Sequence, residues 1–214
     1  MRYRLAIFDM DGTILNTLDD LAESLNFALR KSALPERSPC EVRSFVGNGI
    51  RKLIERSVPE DTSREMQEQV FDDFTERYRE HCIDKTRPYD GIPDLLRTLR
   101  ERGIKTAVIS NKADYAVQKL SEHFFAGLFD SVAGEKAGVR KKPAPDSVNA
   151  VLEQLKIDRA GAVYIGDSDV DIQTAANAGV DCILVSWGFR DEDFLYQHGA
   201  KTVISVPEEI ARIV

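Results

Sequence analysis

The chain has 214 residues, 43% hydrophobic and 30% charged, which suits a soluble globular protein with one sizeable core, or a core and a smaller companion. Its 29 Lys and Arg against 36 Asp and Glu give a formal net charge of -7. That balance argues against a nucleic-acid partner but allows an anionic small substrate, because a local metal or lysine cluster can reverse the field inside one cleft.

At the N-terminus, Met1-Arg2-Tyr3-Arg4 leads straight into an apolar run rather than into a signal peptide. The run at 5–8 ends abruptly in Asp9-Met10-Asp11-Gly12-Thr13, and reads as a buried strand that delivers two carboxylates to a sheet edge. Thr17 then stands as a helix N-cap with Asp20 at the capping-box position, before an apolar stripe of Leu18, Leu21, Ala22, Leu25, Ala28 and Leu29. Pro35 and Pro39 interrupt. A short helix carrying Val42, Phe45 and Val46 is broken by Gly47-Asn48-Gly49, and Ile50, Leu53 and Ile54 begin another. Met66, Val70, Phe74 and Tyr78 recur every four residues in a long charged helix ending near Cys82. With no strand pattern between about 16 and 84, this stretch reads as an all-helical insertion.

From Tyr89-Asp90-Gly91 the pattern alternates. Strands are predicted at 105–110, 129–132, 162–165, 182–186 and 202–205, and helices at 92–100, 113–122, 145–155 and 169–178, with shorter helices after the last two strands. The fold class is therefore α/β, a parallel, doubly wound Rossmann-like sheet. The core is expected over 1–15 and 85–214, and the helical cap over 16–84. No apolar run approaches the ~20 residues of a membrane span. Cys40, Cys82 and Cys182 form no CxxC pair, and read as reduced, mostly buried residues of a cytoplasmic protein.

In a parallel sheet, ligands bind where the strands end. The residues that follow the predicted strands are Asp9 and Asp11; Ser110 and Asn111; Arg140-Lys141-Lys142-Pro143; and Gly166-Asp167-Ser168-Asp169 with Asp171. Carboxylates gathered from two strands need a compensating cation, and an oxygen-rich set suits Mg²⁺. His81, His123 and His198 are isolated and offer no rival site. Asp169 reads as a helix N-terminal acid rather than a ligand.

These four segments resemble, in order and spacing, the motifs of the haloacid dehalogenase-like hydrolase superfamily. The resemblance spans essentially the whole chain, and the cap loop 46–53 is similar to that of its phosphoglycolate phosphatase group. It implies that Asp9 is the nucleophile and a Mg²⁺ ligand. Asp11 would be the general acid and then base, its backbone carbonyl also touching the metal. Ser110, Thr13 and Asn111 would hold the phosphoryl group, Lys142 would neutralise it together with Asp9, Asp167 would ligate Mg²⁺ directly, and Asp171 would reach the metal through an indirect contact or a bound water. An acid at Asp11 favours phosphate-ester hydrolysis over the dehalogenase and phosphonate-cleaving branches. Asn48, Gly49 and Arg51 of the cap loop would face the leaving group, Arg51 pairing with a substrate carboxylate; the other reading of that loop is an exposed helix start. The expected partner is a small phosphorylated metabolite, phosphoglycolate first, with no nucleic acid or membrane, and the chain a monomer or homodimer. A sugar-phosphate mutase, a pyrophosphatase or nucleotide phosphatase, and a non-catalytic protein on the same scaffold are the alternatives.

Overall fold

Strand β1 (Leu5–Phe8) contains only apolar residues, all buried, as befits a parallel strand covered on both faces. Leu5 and Ile7 join one apolar cluster, and Ala6 and Phe8 the other, because successive side chains leave a strand on opposite sides. The computed structural model describes residues 2–214; Met1, the start of the N-terminal lead-in, lies outside them. After β1 come β2 (Leu15–Asn16), the helices α1 (Leu18–Lys31), α2 (Pro39–Phe45), α3 (Ile50–Ser57) and α4 (Arg64–His81), and β3 (Arg87–Pro88), which pairs antiparallel with β2 at the neck of the helical stretch. Then follow α5 (Ile92–Glu101), β4 (Lys105–Ala113), α6 (Asp114–Phe125), β5 (Ser131–Glu135), α7 (Asp146–Leu155), β6 (Ala162–Gly166), α8 (Asp169–Ala178), β7 (Asp181–Val185), α9 (Glu192–Gln197), β8 (Val203–Ile204) and α10 (Pro207–Ile213).

The main sheet has the order β5-β4-β1-β6-β7-β8, parallel throughout. Since β1 lies between β4 and β6, the chain leaves it toward both halves of the sheet. The crevice beyond its carboxyl end is the switch point where such sheets bind ligands. This is the α/β architecture expected. Among the described residues no strand lies between Asn16 and Arg87, and no helix is long and apolar enough to cross a membrane.

The helical stretch packs α1 along α4. Val70, Phe74 and Tyr78 are buried at four-residue intervals, with the Phe74 and Tyr78 rings stacked at 5.3 Å. Met66, the first of that expected stripe, is instead exposed. Asp20 ties this stretch to the chain's return: its buried carboxylate accepts bonds from the Lys85 N–H at 2.9 Å, and from the Thr86 N–H and hydroxyl at 2.8 Å each.

That tie corrects the capping-box expectation. Thr17 does sit at the N-cap of α1, but makes no capping bond; its hydroxyl donates to Asp11. Both polar groups serve partners that lie outside the helix. Pro39 opens α2 rather than interrupting it, at a first-turn position where its missing N–H costs nothing. Strand β4 runs three residues past its expected end, and β5 starts two residues later than expected. Cys82 is buried and Cys182 half-buried as expected, whereas Cys40 is exposed.

Candidate active site

Asp9 leaves β1 with its N–H bonded to the Ile165 carbonyl of β6 at 2.9 Å, so its carboxylate stands at the sheet's carboxyl edge. The chain then turns tightly, Gly12 at φ +85 and its N–H bonded to the Leu15 carbonyl, a backbone conformation that glycine adopts without strain. A Cβ on Gly12 would come within 2.3 Å of the Asp167 carboxylate. The turn brings Asp11 back over the cleft.

Lys142 joins the strand ends. Its buried ammonium donates to Asp9 at 2.7 Å, to Asp171 at 2.8 Å and to the Tyr164 hydroxyl at 3.0 Å. Burial works against its charge, but the Asp171 and Asp9 carboxylates outweigh burial and hold the lysine well above its ordinary range. Tyr164, whose hydroxyl donates on to the Ile109 carbonyl, was hidden in an apolar strand pattern.

Asp171 directs one oxygen to Lys142. Its other oxygen accepts the Asp167 and Ser168 N–H groups and the Ser168 hydroxyl, so it is committed to the protein. Asp167 accepts from the Phe189 N–H at 2.7 Å and from the Thr13 hydroxyl at 3.4 Å. Burial first, then the Asp171 and Asp9 charges, push its carboxyl well up. For Asp9, burial outweighs Lys142 and, with Asp171, pushes the carboxyl up to about 7.

One carboxylate oxygen each from Asp9, Asp167 and Asp171 lie within 4.8 Å of one another. Lys142 is the single cation in salt-bridge contact with them among the described residues. An all-oxygen set with surplus negative charge fits a hard divalent cation such as Mg²⁺.

Across the cleft, Asp11 accepts from the Thr17 hydroxyl at 2.7 Å and from the Lys112 ammonium at 2.8 Å. Ser110 and Asn111 line the same cavity. The Asn111 amide bridges the Gly47 and Lys142 carbonyls at 3.2 and 3.0 Å, fastening cap loop to core. Two arginines cross the same seam in opposite senses. Arg190, after β7, donates to the Arg43, Ser44 and Val46 carbonyls at the end of α2, where a cation is favoured. Arg43 donates back to the Gly188 carbonyl and to Asp191.

The structure thus brings together Asp9, Asp11, Ser110, Asn111, Lys142, Asp167 and Gly49 around one cavity, with Asp171 directly behind. Three expected residues are elsewhere. Thr13 is fully buried behind Asp167. Asn48 borders a neighbouring depression, and its carbonyl accepts from Lys141. Arg51 is engaged by α4 instead: it pairs with Glu68 at 2.5 Å and lies 4.1 Å over the Phe71 ring.

Gly188 was not singled out, yet a Cβ there would meet the Asp167 Cβ at 2.3 Å and the Gly12 carbonyl at 2.6 Å. Gly188→Ala is expected to displace Asp167 and lower turnover about 100-fold, with a stability loss of about 1–3 kcal/mol. Paired kcat and thermal-midpoint measurements check this; unchanged turnover would show that Asp167 needs no such cradle.

Residues 6–185 match the sequence profile of the haloacid dehalogenase-like hydrolases. The chain is 33% identical to a phosphoglycolate phosphatase of Aquifex aeolicus over 187 residues, 87% of this chain and 86% of that one. It is 30% identical to the N-acetylmuramic acid 6-phosphate phosphatase of Pseudomonas aeruginosa over 215 residues, 98% and 94% of the two chains. The crystal structure of a candidate phosphoglycolate phosphatase from Lactobacillus delbrueckii subsp. bulgaricus, 39% identical, superposes with a TM-score of 0.95 over 100% of this chain and 98% of that one.

Proposed function

We propose, for a chain that belongs to the haloacid dehalogenase-like hydrolases and is a phosphatase of phosphate monoesters in their phosphoglycolate phosphatase-like group, that it hydrolyses phosphoglycolate through an aspartyl-phosphate on Asp9, with Mg²⁺ as cofactor. The observation that carries this reading is the Lys142 bridge. One buried ammonium holds Asp9 and Asp171 beside Asp167, while Asp11 faces the same cavity from the other side.

An Asp9 oxygen attacks phosphorus as the ester P–O bond breaks, and Asp11 gives its proton to the departing alkoxide. Asp11 then takes a proton from water as that water attacks the phosphorus, breaking the bond to Asp9 and releasing inorganic phosphate. Lys142 keeps Asp9 aimed and balances charge on the phosphoryl oxygens, and Ser110 with the Asn111 backbone holds those oxygens. Mg²⁺, held by Asp9 and Asp167 with Asp171 behind, would neutralise phosphoryl charge. Residues 16–84 serve as the cap that excludes bulk water over the core of 1–15 and 85–214.

Phosphate release decides it, measured with Mg²⁺ on phosphoglycolate, N-acetylmuramic acid 6-phosphate, a nucleoside monophosphate and a sugar 1-phosphate. Phosphoglycolate is expected to give the highest kcat/KM, and a chelator to remove the activity. An isomeric sugar phosphate in place of free phosphate would mean a mutase; activity that survives chelation would remove the metal from the scheme.

A further inference from the structure

With Arg51 paired to Glu68, the cavity needs another group to read the end of the substrate that carries no phosphate. Much of its wall is apolar: Leu21, Val46, Ile50, Leu53 and Phe189. These five side chains offer no hydrogen bonds to the hydroxyls of a sugar. Besides Lys142, bonded to Asp9 and Asp171, and Arg190, bonded to the cap carbonyls, the cavity is lined by one further cation, Lys112, only 5% exposed.

Lys112 is the penultimate residue of β4, just before α6, and donates to both Asp11 oxygens, at 2.8 and 3.1 Å. An ammonium has three N–H groups, so at least one remains. The Tyr78 ring of α4 lies 4.7 Å from Nζ. Tyr78 lines the same cavity and is fully buried, and its hydroxyl has no hydrogen-bond partner among the described residues. A buried, unpartnered hydroxyl is costly unless something else bonds to it.

We propose that Lys112 determines leaving-group specificity: its ammonium, with the Tyr78 hydroxyl, receives a carboxylate borne on the carbon next to the ester oxygen. This rests on the phosphatase reading of the same site. Two constraints set the class. The ammonium is one hydrogen bond from Asp11, the residue that protonates the departing oxygen, so the two functions of the leaving group must be one carbon apart. The cavity is about 50 Å³, room for a few water-sized groups, which favours a two-carbon acid over an amino sugar. A carboxylate here forms a charge-assisted bond in a largely apolar wall, where such bonds are strong.

The experiment compares kcat/KM for phosphoglycolate and for ethyl phosphate, which has the same carbon count and no carboxylate, in the unmodified protein, Lys112→Met and Tyr78→Phe, with p-nitrophenyl phosphate as a general phosphatase substrate. The unmodified protein is expected to prefer phosphoglycolate about 100-fold or more. Lys112→Met is expected to bring that ratio to within about threefold of one, mainly through the KM for phosphoglycolate, and Tyr78→Phe to lower it about three- to tenfold. An equal fall for both esters in Lys112→Met, carried by kcat, would overturn the proposal and leave Lys112 as a positioning residue for Asp11. So would an unmodified protein that hydrolyses both esters without preference. Failure to hydrolyse any of the three esters would instead remove the phosphatase reading. Should Lys112→Met not fold, an unchanged ratio in Tyr78→Phe overturns the proposal and a lowered one supports it.

Discussion

Asp9→Asn is expected to lower kcat by at least about 10⁴-fold, the scale of losing a catalytic nucleophile, while leaving the fold intact. The amide is nearly isosteric but cannot attack phosphorus. The substitution also removes a charge that is costly in its place. Burial pushes the Asp9 carboxyl up to about 7 despite Lys142, so the folded protein holds this proton more tightly than the unfolded chain does. The stability that this protonation provides is fully present at low pH. It is lost as pH rises from the unfolded carboxylate range, about 4, through 7.

The variant should therefore lose that pH dependence and keep its thermal midpoint at pH 8, with Lys142 still bonded to Asp171 and Tyr164. Steady-state phosphate release and pH-dependent unfolding measure the two halves. A variant retaining even a tenth of the parent turnover would eliminate Asp9 as the nucleophile. Trapped covalent phosphate should follow the same pattern, present on the parent and absent from the variant.

How much of this site could be read from residues alone depended on distance along the chain. Asp9 and Asp11 were legible because an apolar strand ends on them, and Asp167 and Asp171 because a second buried strand does the same. Asp169–Ala178 was legible as a helix because a glycine closes it at a positive φ. Lys112 was not. A lysine inside a strand has no local cue for a partner 101 residues away, so the strand was expected to stop at Ser110. Arg51 failed for the converse reason. Its partner Glu68 is 17 residues distant on another helix, outside the three- and four-residue spacings at which charge pairs can be recognised. The Arg43 and Arg190 crossing, 147 residues apart, depends on how the cap loop meets the turn after β7, which only the folded chain defines.

Lys142→Met should produce the largest loss of stability of any single substitution at this site, about 3–5 kcal/mol at pH 8, because it leaves two buried carboxylates without their cation. In a chain of this length that corresponds to a drop of roughly 6–20 °C in thermal midpoint. The loss should shrink on acidification. Without the lysine, burial and the Asp171 charge act unopposed on Asp9, which then carries its proton further up the pH scale, and a protonated Asp9 does not need the ammonium. Unfolding at pH 5.5 and 8 should thus differ more for the variant than for the parent. Mg²⁺ provides the second readout. An ion that binds only the folded chain stabilises it in proportion to its affinity, and a trio of carboxylates freed from Lys142 should bind it more tightly. Millimolar Mg²⁺ is therefore expected to raise the variant's midpoint more than the parent's, without restoring turnover, since the aim of Asp9 is lost with the lysine. Equal Mg²⁺ shifts in both proteins would mean that the cation and Lys142 do not share these carboxylates. A variant as stable as its parent at pH 8 would mean that the buried charges relax into solvent, and that the bridge does not hold the strand ends together.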